Sequence, residues 1–192
     1  MLGLKLATDP RWINIAEKNI EEILVDHAYC EQKAASTGIS LILQFPERDK
    51  LVEVVSPIVA EEWTHFRMVL KELNKRGFNL GRKRVDEYVV ELFKLERKGG
   101  KIEWQLMDKL LISALIEARS CERFKILSEE IADEDLKVFY RELMVSEAGH
   151  YATFLDLAKE YMPAEAVKKR LDEMLEAEAE IMQRLSVKAR IH

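Results

Sequence analysis

Residues 61–66 read Glu-Glu-Trp-Thr-His-Phe and residues 146–151 read Ser-Glu-Ala-Gly-His-Tyr. Each stretch holds a Glu-x-x-His step followed by an aromatic residue: Glu62, His65 and Phe66 in the first, Glu147, His150 and Tyr151 in the second. On a helix, positions i and i+3 share a face, so each step aims one carboxylate and one imidazole in the same direction. Paired steps of this kind, pointing inward, are how a four-helix bundle assembles a carboxylate-bridged pair of metal ions. One copy alone is weak, because 26 of the 192 residues are Glu. The repetition is what carries weight, and it has to be tested against partner carboxylates and register.

The composition agrees with a helical bundle. Hydrophobic residues make up 48% of the chain and charged residues 34%, with only 7 Gly and 4 Pro. That balance supports one all-α domain over residues 1–192 and leaves no rhythm of short strands and turns. A net charge of −5 excludes a uniformly basic nucleic-acid binder but allows a local basic patch. The two cysteines, Cys30 and Cys121, form neither a CxxC pair nor a disulfide framework. No cleavable leader is visible, and no apolar run approaches the roughly 20 residues that span a bilayer. Together these predict a cytoplasmic protein without a membrane segment.

Helical spacing organises the chain from end to end. Asp9-Pro10 opens a helix predicted over 10–37, whose stripe is apolar except for His27 and Glu31, and Thr37-Gly38 is expected to stop it. A second helix over 47–76 carries Glu62 and His65 in its buried stripe, with Pro57 one turn before Glu62. A long connection over 77–101 contains a short helix near 85–95. Helices over 102–131 and 134–160 follow, the second capped by Asp133, and Pro163 opens a last helix with Val167, Leu171, Leu175, Ile181 and Leu185 inward. Residues 163–190 are expected to pack on the bundle or to receive a partner.

Hairpin geometry selects the remaining carboxylates. In an antiparallel pair, groups at equal height lie equally far from the turn. Glu31 and Glu62 are 31 residues apart and Glu117 and Glu147 are 30 apart, with midpoints at Pro46 and Ala132 in the two links. Glu122 would sit about 7 Å nearer the turn at 1.5 Å per residue, so Glu117 is preferred and Glu122 is the alternative. The hairpins then superpose, with Leu24, Ala28, Glu31, Lys33 and Ala35 opposite Leu110, Ala114, Glu117, Arg119 and Cys121. Two such hairpins joined by a long crossover predict a ferritin-like four-helix bundle with added crossover and C-terminal helices.

Electrostatics favours metal in such a bundle. Four carboxylates converging in an apolar core repel one another and are driven to protonate. Two divalent cations cancel those charges, and a carboxylate and imidazole donor set suits iron or manganese. A purely salt-bridged arrangement needs inward Lys or Arg, and the stripes contain almost none.

A family resemblance rests on four stretches: His27-Ala-Tyr-Cys-Glu31-Gln-Lys-Ala-Ala, Glu61-Glu62-Trp-Thr-His65-Phe, Ala118-Arg-Ser-Cys-Glu-Arg-Phe124 and Ser146-Glu147-Ala-Gly-His150-Tyr. They resemble the bacterial tRNA 2-methylthio-isopentenyl-adenosine hydroxylases over most of the chain. The resemblance implies a non-haem di-iron monooxygenase that uses O2 to hydroxylate the isopentenyl group of a hypermodified adenosine beside the anticodon. It implies Glu31, Glu62, His65, Glu117, Glu147 and His150 as ligands of two Fe ions, with Glu62 and Glu147 bridging and Glu122 the alternative to Glu117. Electrons would come from an external reductase or ferredoxin, because no Gly-rich dinucleotide fingerprint or iron–sulfur cysteine set is present.

The tRNA would need a cationic surface, and the connection supplies one. Between residues 75 and 101 stand nine cations (Lys75, Arg76, Arg82, Lys83, Arg84, Lys94, Arg97, Lys98 and Lys101) against four acids. These are the candidates for holding the anticodon arm. The competing class is an iron-handling or peroxide-scavenging protein of ferritin or rubrerythrin type; rubrerythrin would add a cysteine module absent here. A monomer and a dimer both fit the chain.

Overall fold

The computed structural model describes residues 2–82 and 85–192, and every regular element among them is a helix. In order these are α1 (Trp12–Glu17), α2 (Ile20–Gln44), α3 (Asp49–Lys75), α4 (Glu87–Phe93), α5 (Ile102–Glu130), α6 (Glu134–Tyr161) and α7 (Ala164–Arg184). None of them is long and apolar enough to cross a membrane. The described chain falls into two compact units, one built of residues 14–85 with 188–191, the other of the residues up to Ile13 with 86–187 and His192.

In the first unit α2 and α3 pack as a hairpin. The helix predicted over 10–37 is broken early and runs on late. At Asn19 the backbone leaves the helix (φ −136°, ψ 47°) and the side chain donates to the Ile15 carbonyl at 2.7 Å, competing with the next helical bond. Gly38 does not stop α2. It is buried inside the helix, and a Cβ there would meet Val59 Cγ2 at 2.5 Å, so the missing side chain lets α3 approach. The stop comes at Pro46, which lacks the backbone donor and forces Phe45 out of the helical region. Pro57 is tolerated on the exposed side of α3.

The second unit is wrapped around α5, which packs against α4, α6 and α7. Its sides are covered nearly all round, so polar residues on every face are buried: Asp108, Ser113, Arg119, Ser120, Glu122, Arg123 and Ser128. The expectation that inward Lys or Arg would be almost absent fails here. Arg119 is fully buried because α7 and the N-terminal segment cover the face that would otherwise meet water. It donates to Glu178 Oε1 on α7 at 2.6 Å, to the Leu6 carbonyl at 3.0 Å and to Glu122. The Tyr88 hydroxyl joins this network by donating to Glu178 at 3.2 Å, and burial with the adjacent carboxylate pushes that phenol well above its ordinary range. Asp108 accepts two bonds from Arg170 of α7 at 2.9 and 3.0 Å, and Asp133 caps α6 through the Leu136 amide at 3.0 Å. α7 is thus fixed to its own unit by buried Val167, Met174, Leu175 and Ile181 together with two ionic ties.

Candidate metal centre

Each hairpin gathers one triad of two carboxylates and one imidazole. In the α2–α3 hairpin, Glu31, Glu62 and His65 are all buried, and each offers a ligand atom within 4.8 Å of the others. His65 Nδ1 lies 3.5 Å from Glu31 Oε2 and 3.8 Å from Glu62 Oε2. Its Nε2 faces the other way, 3.9 Å from Glu61. In the α5–α6 hairpin, Glu117, Glu147 and His150 are likewise buried and within 4.8 Å of one another, with His150 Nδ1 at 3.6 Å from Glu147 Oε2. Both imidazoles therefore turn the same nitrogen toward their carboxylates, as the i, i+3 spacing directs.

The donor chemistry fits a hard-to-borderline divalent cation in each triad. Two carboxylates carry two negative charges, and one divalent ion cancels them where burial makes uncompensated charge costly. Oxygen and imidazole nitrogen without thiolate select iron or manganese over structural zinc. Cys121 adds no ligand: burial pushes its thiol up to about 11, and it donates to the Met144 carbonyl at 3.4 Å.

Glu122 is drawn into a different set of contacts. Its carboxylate accepts from the Thr8 amide at 3.1 Å, from the Thr8 hydroxyl at 2.7 Å and from Arg119. Those bonds tie the N-terminal segment to α5 and turn Glu122 away from the triad that holds Glu117.

His27 is a functional candidate that spacing alone did not mark out. It is fully buried, and its Nε2 lies 2.6 Å from Glu31 Oε1, so one oxygen of Glu31 is held while the other faces His65. The signal was present as His27-x-x-x-Glu31, an i, i+4 pair inside an apolar stripe.

The basic candidates do not form one uniform patch. Lys75, Arg82, Lys94, Lys98 and Lys101 are exposed. Arg76 bonds Glu72, and Arg97 is held between Asp108 at 3.4 Å and the Trp104 ring at 4.7 Å. Lys83 and Arg84 lie outside the described residues.

Comparison with known proteins places these features in a family. The family model for tRNA-(MS[2]IO[6]A)-hydroxylase (MiaE) matches residues 2–192. A Pseudomonas putida protein named tRNA 2-(methylsulfanyl)-N(6)-isopentenyladenosine(37) hydroxylase is 36% identical over 185 residues, covering 96% of this chain and 89% of that protein. A Salmonella typhimurium protein of the same name is 28% identical over 228 aligned positions, covering 93% and 83%. Among solved structures, protein 43 with aldehyde deformylating oxygenase activity from Synechococcus matches with a TM-score of 0.93 and 32% identity, covering 98% of this chain and 94% of that one. The fold is all-α and ferritin-like.

Proposed function

We propose that this chain, which belongs to the tRNA-(MS[2]IO[6]A)-hydroxylase family, is an iron-dependent, O2-using enzyme that hydroxylates the isopentenyl group of a modified adenosine beside the anticodon of tRNA. Its metal ligands are Glu31, Glu62 and His65 from one hairpin and Glu117, Glu147 and His150 from the other, enough for two iron ions. The observation that carries this is the duplicated donor set: two buried triads of identical composition, one per hairpin, on matching Glu-x-x-His steps. The whole chain then works as one di-iron domain, with electrons delivered by an external reductase or ferredoxin.

Iron bound there would supply the O2 activation needed to oxidise an unactivated carbon. The protein's own part is to fix the donors and keep the surroundings dry. Helical spacing orients each imidazole, and His27 holds one oxygen of Glu31. The buried neighbours Leu24, Ala28, Ile58, Val69, Leu110, Ala114, Leu143 and Phe154 exclude water, which protects the reacting centre from side reactions. The exposed cations of the connection, Arg82, Lys98 and Lys101, would meet phosphates of the anticodon arm.

A single-turnover experiment tests this. Anaerobic protein is loaded with ferrous iron and mixed with O2 and isopentenylated tRNA, and the digested nucleosides are weighed for one added oxygen. The gain is expected in wild type and lost in Glu62→Ala and Glu147→Ala. Two bound irons with an unchanged nucleoside would favour the iron-handling or peroxide-scavenging alternative.

A further inference from the structure

We infer that the solvent-facing ridge of α3 formed by Trp63, Arg67, Lys71 and Lys75 is the surface on which the anticodon-loop strand lies, Trp63 stacking on a loop base and the cations meeting its phosphates. The inference rests on the tRNA hydroxylase proposal above and adds to it a specific RNA-reading surface.

The four residues recur at i, i+4, i+8 and i+12, and all four are exposed. Each step rises about 6 Å, so the ridge spans about 18 Å along the helix. It begins one residue after the ligand-bearing position Glu62 and ends where the basic connection starts. Trp63 is 48% exposed, and it is the one aromatic residue among the large exposed apolar side chains of the described residues. Its ring is braced by Phe66, with centroids 4.9 Å apart, so it presents a fixed face rather than a mobile one. A rigid aromatic face beside cations is how proteins hold unpaired bases, which offer both a π-surface and a phosphate.

The charge pattern points the same way. Several lysines of this acidic chain are paired with an acid three or four residues away, as in Lys50–Glu53, Lys94–Glu91, Lys125–Glu129, Lys137–Glu134, Lys159–Asp156 and Lys168–Asp172. Arg67 and Lys71 have no acidic partner among the described residues. From Trp63 to Lys75 the single acid is Glu72, which is engaged by Arg76. Arg67 and Lys71, two exposed cations beside the Trp63 face in a chain of net charge −5, favour a polyanion. An acidic electron-donor protein could be drawn to the same cations, and the experiment separates the two.

Binding and turnover are measured on an isopentenylated anticodon stem-loop with iron-loaded wild type, Trp63→Ala, Trp63→Phe, the double variant Arg67→Glu/Lys71→Glu, and Lys168→Glu/Lys169→Glu on α7 as a charge control. Thermal melts verify that each variant is folded. Trp63→Ala is expected to raise KM about 5- to 100-fold with kcat within about twofold, and Trp63→Phe to recover most of the loss. Arg67→Glu/Lys71→Glu is expected to raise Kd at least about tenfold and to flatten the slope of log Kd against log salt by one to two. The α7 control leaves Kd and KM within about twofold. An active wild type whose ridge variants keep KM, Kd and salt slope overturns this surface alone. Ridge variants that keep RNA affinity but lose reduction by the donor protein overturn it in favour of a donor site. A wild type that neither binds nor hydroxylates the stem-loop overturns both the surface and the hydroxylase proposal.

Discussion

The α2–α3 hairpin and the α5–α6 hairpin present the same triad from different surroundings. At the position pseudo-equivalent to Lys33, which is half-buried on α2, α5 has Arg119, fully buried and bonded to Glu122 and Glu178. Where α2 has His27 against Glu31, α5 has Ser113, and where α2 has Gly38 letting α3 close in, α5 has Phe124. Only the donors and a few apolar neighbours repeat. The duplication therefore constrains the ligand set, whereas each hairpin's other residues answer to what its own unit packs against it.

The sharpest break in this comparison is expected at Lys33 and Arg119. Arg119→Met leaves Glu178 and Glu122 buried beside each other without their cation, and should cost about 3–5 kcal/mol in chemical denaturation. Lys33→Met should shift stability by no more than about 0.5 kcal/mol. Equal losses at the two positions would mean that the hairpins are energetically alike after all.

His27 and Ser113 test whether the triads differ in how their ligands are supported. His27→Ala removes the partner of Glu31 Oε1 and should weaken the ferrous site proposed on the α2–α3 triad about 10- to 100-fold, read in an anaerobic iron titration. Ser113→Ala should leave both proposed sites within about threefold, since among the described residues Ser113 makes no hydrogen bond to Glu117, Glu147 or His150 and its removal strips no carboxylate oxygen of a support.

Two helical glycines give effects of opposite sign. Gly38→Ala forces Val59 aside and should destabilise by about 1–2 kcal/mol despite the better helix propensity of Ala. Gly149→Ala, on the exposed side of α6 with nothing within 4 Å of the new methyl, should stabilise by about 0.5–1 kcal/mol. Thermal melts of both variants decide the pair. A stabilised Gly38→Ala would show that the α2–α3 contact is looser than the geometry implies.

The hydrophobic period located α3, α5 and α6 to within about two residues at each end, since burying one face of a helix writes a 3.6-residue repeat into the chain. It misjudged the end of α2 because Gly38 is a stop signal in isolation and a packing device once Val59 lies against it. The break at Asn19 was equally local and equally hidden inside an apolar stripe. Equal distances from the two turns favoured Glu117 over Glu122, and what spacing could not show is that Glu122 bonds Thr8 and Arg119.

The sequence by itself determined the helical class, the two Glu-x-x-His steps and the donor types, because these follow from spacing along a single helix. Only the tertiary structure decided that Arg119 is a core residue, that His27 supports Glu31, and that Trp63, Arg67 and Lys71 stand uncovered. Periodicity reports which face a residue occupies; whether another helix, a distant acid or water meets that face depends on contacts between residues far apart in the chain, such as Arg119 with Glu178.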